Sequence, residues 1–226
     1  MQLPAKEAVA SIDVDAQYTF TPVCPNELPV IGGDTIGPEL NAQAQFAAYR
    51  LGSKDAHSPH ALWVSSPQAP PFSQVNGINM DIRWPSHAVP GTKGFELLAE
   101  LPHPADYDFF VWKGVEPDMH PYGACYHDLA ERQSTGIIEY LQAKHVTTVL
   151  IGGLATDYCV RHTALQLLRA GFKVIINLAA TLGVAEDSTA QALQELQQAG
   201  AHLIANAAAL EQTLDPKLDH TVGASE

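Results

Sequence analysis

Short apolar runs alternate along this chain with segments of helical periodicity, and this alternation constrains the fold more than any other feature of the sequence. Strands separated by helices of this length predict βαβ units, with helices on both faces of a parallel sheet. We therefore predict a three-layer αβα domain built on a doubly wound, mostly parallel sheet of about six strands. The predicted strands cover residues 9–14, 50–54, 107–112, 146–151, 172–178 and 202–205, and the predicted helices cover 38–47, 137–141, 157–170 and 188–199.

Composition supports one domain and argues against two classes of partner. The 226 residues are 46% hydrophobic, so we predict a single α/β domain over residues 1–226, with a peripheral tail after about residue 214. The net charge of -13, without a basic stripe, argues against nucleic acid. The sequence has no run of about 18 apolar residues and no apolar signal segment at 1–10, so we expect no membrane partner and a cytoplasmic location. The sequence leaves open whether the protein forms a homo-oligomer.

One long stretch interrupts the alternation of strands and helices. Residues 58–104 are rich in Pro, Gly and Ser, and long irregular insertions in compact domains are often functional. We predict that this insertion forms a lid or part of a metal site. Ligands of open parallel sheets bind beyond the carboxyl ends of the strands. Asp15, Asp55, Lys113 and Gly152 each follow a predicted strand, so we expect the site among them.

Cys159 is the candidate nucleophile among three cysteines, which are too few for a disulfide framework. Residues 151–160 (IGGLATDYCV) predict a strand, a Gly-Gly turn and a helix that begins near Cys159. The positive end of a helix stabilises a thiolate, and its free N–H groups can hold an oxyanion. A buried, inert cysteine is an equal interpretation of the position alone. A Rossmann phosphate loop is excluded because Gly152 and Gly153 do not match G-x-G-x-x-G.

A thiol nucleophile needs a base, and the first strand offers two carboxylates. Asp13 and Asp15 are two residues apart and point the same way in an extended strand, so the residues alone leave the choice open. Lys113 follows the strand at 107–112, and its charge would lower the pKa of Cys159 and keep Asp15 ionised. An exposed lysine is the simpler interpretation of Lys113 by itself.

A second group of residues has the chemistry of a metal site. Asp55 and His57 form a D-x-H pair whose side chains share a face in extended chain. His87 lies in the segment 84–94 (WPSHAVPGTKG), whose turns can direct it inward. Two imidazoles and a carboxylate suit one divalent ion, with Zn²⁺ preferred over Fe²⁺ or Mn²⁺. We expect four other histidines at the surface, the first of them a minor candidate ligand: His60, His103, His120 and His127.

Four motifs, in this order, resemble those of one family, the nicotinamidases of the isochorismatase-like cysteine hydrolases. DAQYTF at 15–20 is similar to the family's D-x-Q-x-D-F, and DAH at 55–57 is similar to its D-x-H. WPSHAVPGTKG at 84–94 resembles W-P-x-H-C-V-x-G-T-x-G. KG at 113–114 and GLATDYCV at 153–160 resemble K-G and G-x-A-T-[DE]-Y-C-V. The resemblance spans roughly residues 8–205.

The resemblance implies an isochorismatase-like fold and a role for each residue of the catalytic site. Asp15 rather than Asp13 becomes the base, with Lys113 and Cys159 completing a catalytic triad. A cis peptide bond before Ala155 would direct the N–H groups of Ala155 and Cys159 at the oxyanion.

The resemblance also implies the ligands of the metal ion and marks three departures from the family pattern. The implied ligands are Asp55, His57 and His87. Thr19 replaces an acid, Ala56 a frequent aromatic residue and Ala88 a cysteine. None of the three removes a catalytic group, although each can change the walls of the pocket.

The implied activity is hydrolysis of nicotinamide to nicotinate and ammonia through a thioester on Cys159, with pyrazinamide as a second expected substrate. As a hypothesis, the ring nitrogen binds the metal and the ring lies in a slot lined by Phe20, Trp84 and Tyr122. For Tyr122, ordinary core packing is an equal interpretation. The rival functions are an isochorismatase or N-carbamoyl amidohydrolase on the same scaffold, and a non-catalytic protein that keeps the metal for structure.

Overall fold

A six-stranded sheet forms the centre of the protein, and the computed structural model describes residues 3–211. The strands are β1 (Val9–Val14), β2 (Tyr49–Asp55), β3 (Phe109–Lys113), β4 (Thr148–Leu154), β5 (Lys173–Leu182) and β6 (His202–Ile204). Their order is β3-β2-β1-β4-β5-β6, and every neighbouring pair is parallel. The predicted doubly wound sheet of about six strands is therefore confirmed.

Helices cover both faces of this sheet because alternate residues of each strand point to opposite sides. Ile12 of β1 packs in a core with Leu141 and Leu167, whereas Val9, three residues earlier in the same strand, packs on the other side with Leu150 and Leu210. These two cores make the three layers. The helices are α1 (Gly37–Ala44), α2 (Ile137–Ala143), α3 (Arg161–Arg169), α4 (Glu186–Gln198) and α5 (Ala208–Glu211).

The end of β4 differs from the predicted Gly-Gly turn. Both glycines lie inside β4, which continues to Leu154 before a π-turn, Thr156–Val160, leads into α3. Gly153 has a φ of 130°, and a Cβ at this position would lie 1.9 Å from the carbonyl oxygen of Val14. Glycine therefore lets β4 approach β1 closely at the point where the strand order reverses, which is where such sheets bind ligands.

The irregular insertion has no helix or strand of its own. Residues 56–103 contain only isolated bridges, and an apolar cluster that includes Trp63, Met80, Trp84 and Tyr122 packs this segment over the sheet edge. None of the described helices has the length and apolar character needed to cross a membrane. The predicted peripheral tail after about residue 214 lies outside the described residues.

Candidate active site

Cys159, Lys113 and Asp15 meet at the carboxyl edge of the sheet. Lys113 ends β3, and its Nζ lies 3.0 Å from Asp15 Oδ2 and 3.7 Å from Cys159 Sγ. Asp15 follows β1, and its Oδ1 accepts a hydrogen bond of 2.7 Å from Ser53 Oγ. All of these side chains are buried. The sulfur nucleophile and the carboxylate therefore both lie beside the same cation.

Lys113 is fully buried, so the simpler interpretation of an exposed lysine was wrong. Its ammonium pairs with both Asp15 and Asp55 and donates a hydrogen bond of 3.3 Å to the carbonyl oxygen of Pro121. A buried cation is stable only when it is paired and hydrogen-bonded, and two carboxylates supply that pairing here.

The structure separates the two candidate carboxylates of β1. Asp13 accepts hydrogen bonds from Tyr107 Oη, at 2.8 Å, and from Arg50 Nε, at 2.9 Å, and does not join the group around Cys159. Asp15 has a φ of 44°, in the left-handed region. The strand alternation therefore stops before Asp15, and its side chain does not follow the direction of Asp13.

Burial and charge set the protonation of this group. Burial raises the pKa of the Cys159 thiol well above its ordinary value, although the charge of Lys113 opposes the shift. Lys113 lowers this pKa as expected, but the effect of burial is larger. Burial also raises the pKa of Asp15 against the opposing charge of Lys113. Burial alone would lower the pKa of Lys113, but the charges of Asp15 and Asp55 raise it well above its usual range.

The turn between β4 and α3 presents Cys159 to the site. The peptide bond between Leu154 and Ala155 is cis, as the resemblance implies. The carbonyl oxygen of Ala155 accepts hydrogen bonds from the N–H groups of Tyr158, at 3.1 Å, and Val160, at 3.2 Å. Ala155 and Cys159 both line the pocket described below.

Asp55, His57 and His87 also lie together, beside the ammonium of Lys113. Nδ1 of His57 lies 2.9 Å from the carbonyl oxygen of Gly114, and Nδ1 of His87 lies 2.7 Å from that of Pro85. A carbonyl only accepts, so each Nδ1 carries a hydrogen, and Nε2 is the nitrogen through which a neutral ring of this kind can ligate a metal. These Nε2 atoms lie 3.4 Å and 3.9 Å from carboxylate oxygens of Asp55.

His120 joins this group, so the prediction that it lies at the surface was wrong. It is 4% exposed, and ligand atoms of His57, His87 and His120 all lie within 4.8 Å of one another; we call these three residues the histidine cluster. The signal for His120 was its position seven residues after the end of β3, at the same sheet edge. Of the other three, His60 and His103 are exposed and His127 is half-buried.

The donor set fits a divalent metal ion. Among the described residues, Nε2 of His57 and both ring nitrogens of His120 are buried without a hydrogen-bond partner, an arrangement that is rare unless another ligand satisfies such atoms. Burial and the neighbouring His57 lower the pKa of His87 to about 3. A neutral imidazole is the form that ligates metals, and imidazoles with a carboxylate suit zinc.

An apolar slot leads to these groups. It has an empty volume of about 330 Å³ including its open mouth. Phe20, Trp84 and Tyr122 are buried and line it, so the structure places all three beside Cys159. Tyr122 Oη accepts a hydrogen bond of 3.3 Å from Trp84 Nε1 and donates one of 2.7 Å to Asp81. The sequence reasoning missed three further lining residues: Leu28, Tyr158 and Val184.

Comparisons with known proteins agree with this fold and site. Residues 53–208 match the isochorismatase domain. The chain is 30% identical over 212 residues to a nicotinamidase of Acinetobacter baylyi, which is 91% of this chain and 97% of that protein. The Acinetobacter baumanii nicotinamidase/pyrazinamidase structure is 29% identical, with a TM-score of 0.81 over 90% of this chain and 98% of that one. The Pyrococcus horikoshii pyrazinamidase in complex with zinc is 28% identical, with a TM-score of 0.69 over 87% and 98%.

The protein has a parallel sheet between two layers of helices, and a thiol, a carboxylate and an ammonium lie together at the carboxyl edge of that sheet. This is the arrangement of an α/β cysteine hydrolase. The chain belongs to the isochorismatase family, as its motifs predicted.

Proposed function

We propose that this protein is a nicotinamidase, which hydrolyses nicotinamide to nicotinate and ammonia, and that it also accepts pyrazinamide. The observation that carries the proposal is the contact of Lys113 Nζ with Asp15, at 3.0 Å, and with Cys159 Sγ, at 3.7 Å, at the end of an apolar slot beside the histidine cluster. The slot suits a flat, uncharged aromatic amide because its walls include Phe20, Trp84 and Tyr122. The nicotinamidase names of the relatives support the same substrate.

Asp15 and Cys159 carry the covalent chemistry. Asp15 accepts the thiol proton while Sγ of Cys159 attacks the amide carbon, and the new C–S bond makes a tetrahedral oxyanion. Asp15 then gives its proton to the leaving nitrogen, the C–N bond breaks and ammonia departs. Water adds to the thioester with Asp15 as base, the C–S bond breaks, and nicotinate leaves with the thiol restored. Lys113 keeps its charge throughout and stabilises both the carboxylate and the developing thiolate.

The oxyanion is stabilised by backbone donors. The N–H groups of Ala155 and Cys159 fill this role, because both residues line the slot at the turn before α3. One such donor is typically worth about 3–4 kcal/mol of transition-state stabilisation. Preorganised donors need no solvent reorganisation, so a short turn with constrained backbone suits the role.

Asp55, His57 and His87 hold one divalent metal ion, which we propose is zinc. When bound, the ion acts as a Lewis acid for the pyridine nitrogen of the substrate and orients the ring. The Nδ1 contacts of His57 with Gly114 and of His87 with Pro85 orient the two imidazoles for this task. The Pyrococcus horikoshii relative, which was solved with zinc, supports the choice of metal.

Ammonia release from nicotinamide tests the proposal. We expect wild-type protein to release ammonia, Cys159→Ala to lose at least roughly 10³-fold in rate, and the variant still to bind nicotinate. Cys125→Ala is the matched control, because Cys125 is also buried but lies away from the slot, and its rate should stay close to wild type. Parallel assays with isochorismate and an N-carbamoyl amine separate the rival hydrolases. Substantial turnover by Cys159→Ala, or release only from a rival substrate, would refute the proposal.

A further inference from the structure

The ring of His120 is held rigidly at the inner end of the slot. The backbone N–H of His120 donates to the carbonyl oxygen of Asn79 at 2.8 Å, and Trp63 Nε1 donates to that of the preceding Met119 at 2.9 Å. The ring packs edge-on against Trp63, with centroids 4.4 Å apart, and parallel to Trp84, with centroids 5.7 Å apart. The irregular insertion therefore fixes the position of this imidazole before any ligand arrives.

The other side of the same ring faces the metal ligands. Its centroid lies 5.1 Å from that of His57, with the planes only 18° apart, and 5.7 Å from that of His87. A ligand atom of each of these three rings lies within 4.8 Å of the others. His120 therefore lies within reach of an ion that is held by His57 and His87.

The hydrogen bonding of His120 differs from that of an ordinary core histidine. A buried imidazole is normally satisfied by a protein partner, as Nδ1 of His57 and Nδ1 of His87 are by carbonyl oxygens. Both ring nitrogens of His120 lack a hydrogen-bond partner among the described residues, and His120 is only 4% exposed, so solvent does not replace the missing partner. Leaving two buried polar atoms unpaired is costly, and coordination to a cation would satisfy one of them.

We propose that His120 is a fourth protein ligand of the metal, so that three imidazoles and the Asp55 carboxylate hold the ion. This inference rests on the metal of the proposed function and extends its ligand set. Three nitrogen ligands shift the preference of the site towards zinc and away from Mn²⁺, which favours oxygen donors. A fourth protein ligand also leaves fewer open positions, so the ion has less room for water beside the substrate.

Zinc affinity and ligand counting test the proposal. His120→Phe keeps the ring packing against Trp63 and Trp84 but removes both nitrogens, and we expect it to bind zinc at least roughly tenfold more weakly in chelator competition. His60→Phe is the matched control, because His60 is exposed and near Asp55 in sequence. The zinc affinity of this variant should equal that of the wild type. X-ray absorption of zinc-loaded wild-type protein should show three imidazoles per zinc ion.

The outcomes separate this inference from the proposed function. Two imidazoles in wild-type protein, or unchanged zinc affinity in His120→Phe, would overturn the role of His120 and leave Cys159-dependent ammonia release intact. The absorption measurement needs no variant, so it decides the question even if His120→Phe does not fold. Loss of the proposed function would instead appear as wild-type protein that releases no ammonia from nicotinamide at any zinc concentration.

Discussion

The two halves of the site are built in different ways. The triad of Asp15, Lys113 and Cys159 lies at or just beyond the ends of three strands of one sheet, and the parallel register aligns Lys113 directly with Asp55. The histidine cluster instead draws His57, His87 and His120 from irregular segments that aromatic side chains pack together. The triad therefore depends on the sheet, and the cluster depends on loop packing. We expect damage to the first to affect chemistry and folding, and damage to the second to affect substrate capture.

Removing the buried cation should have the largest effect. In Lys113→Met, Asp15 and Asp55 remain buried without their shared partner, and breaking a buried ion pair in this way costs about 3–5 kcal/mol. We expect the free energy of unfolding to fall by that amount in urea titration, and ammonia release to fall at least roughly 10³-fold.

Lys54→Met is a demanding control for this effect. Lys54 is also buried and lies one residue before Asp55, but its ammonium lies over the ring of Phe95 at 4.3 Å and forms no ion pair with Asp15 or Asp55. We expect a loss of about 1 kcal/mol or less and near-normal activity. Equal losses of stability and activity in the two variants would show that packing of the aliphatic part of the lysine side chain, rather than the ion pairs, makes Lys113 important.

The same contrast explains what the sequence could predict. The strands follow from local signals: apolar periodicity marks them, and ligand chemistry collects at their carboxyl ends. The triad was assembled only by the family resemblance, because the residues alone left Asp13 and Asp15 open and favoured an exposed Lys113. The direction of Asp15 does not follow from these signals, because it depends on a φ of 44° at a single residue. The burial of Lys113 and His120 was missed because both depend on partners far away in the sequence, namely Asp15 and Asp55 for the lysine and Trp63 for the histidine.

Metal removal should have the next largest effect, and it should separate binding from chemistry. The proposed metal ligands lie beside the triad, but no step assigned to Asp15 or Cys159 consumes the ion. We expect chelation to raise KM for nicotinamide at least roughly tenfold and to lower kcat by a smaller factor. Steady-state kinetics before chelation, after chelation and after zinc is restored will measure both parameters.

The control for chelation is the same treatment of a substrate amide that lacks a ring nitrogen, such as benzamide. Its weaker turnover should change little, because its ring offers no lone pair to a metal. If chelation leaves the KM for nicotinamide unchanged, or lowers kcat alone, the division between a catalytic triad and a capturing cluster is wrong.

The smallest predicted effect concerns the support of His87. Thr19, which stands where the family motif has an acid, donates a hydrogen bond to the Glu27 carboxylate. The same carboxylate accepts the N–H of Ala88 at 3.0 Å, and Ala88 has a φ of 49°, in the left-handed region. Glu27 thus holds the strained residue that follows His87. In Glu27→Gln the charge is lost, which should cost about 1 kcal/mol and weaken zinc binding roughly fivefold in chelator competition.

Glu96→Gln is the matched control, because Glu96 carries the same charge but forms an exposed ion pair with Lys93 at 2.7 Å. Exposed pairs contribute little, so zinc affinity should stay at the wild-type value. An equal change in both variants would mean that general negative charge attracts the cation. A change in Glu27→Gln alone would show that a hydrogen bond to the residue after His87 controls the histidine cluster. With saturating zinc, we expect kcat of Glu27→Gln to stay close to wild type, because the triad is supported by the sheet.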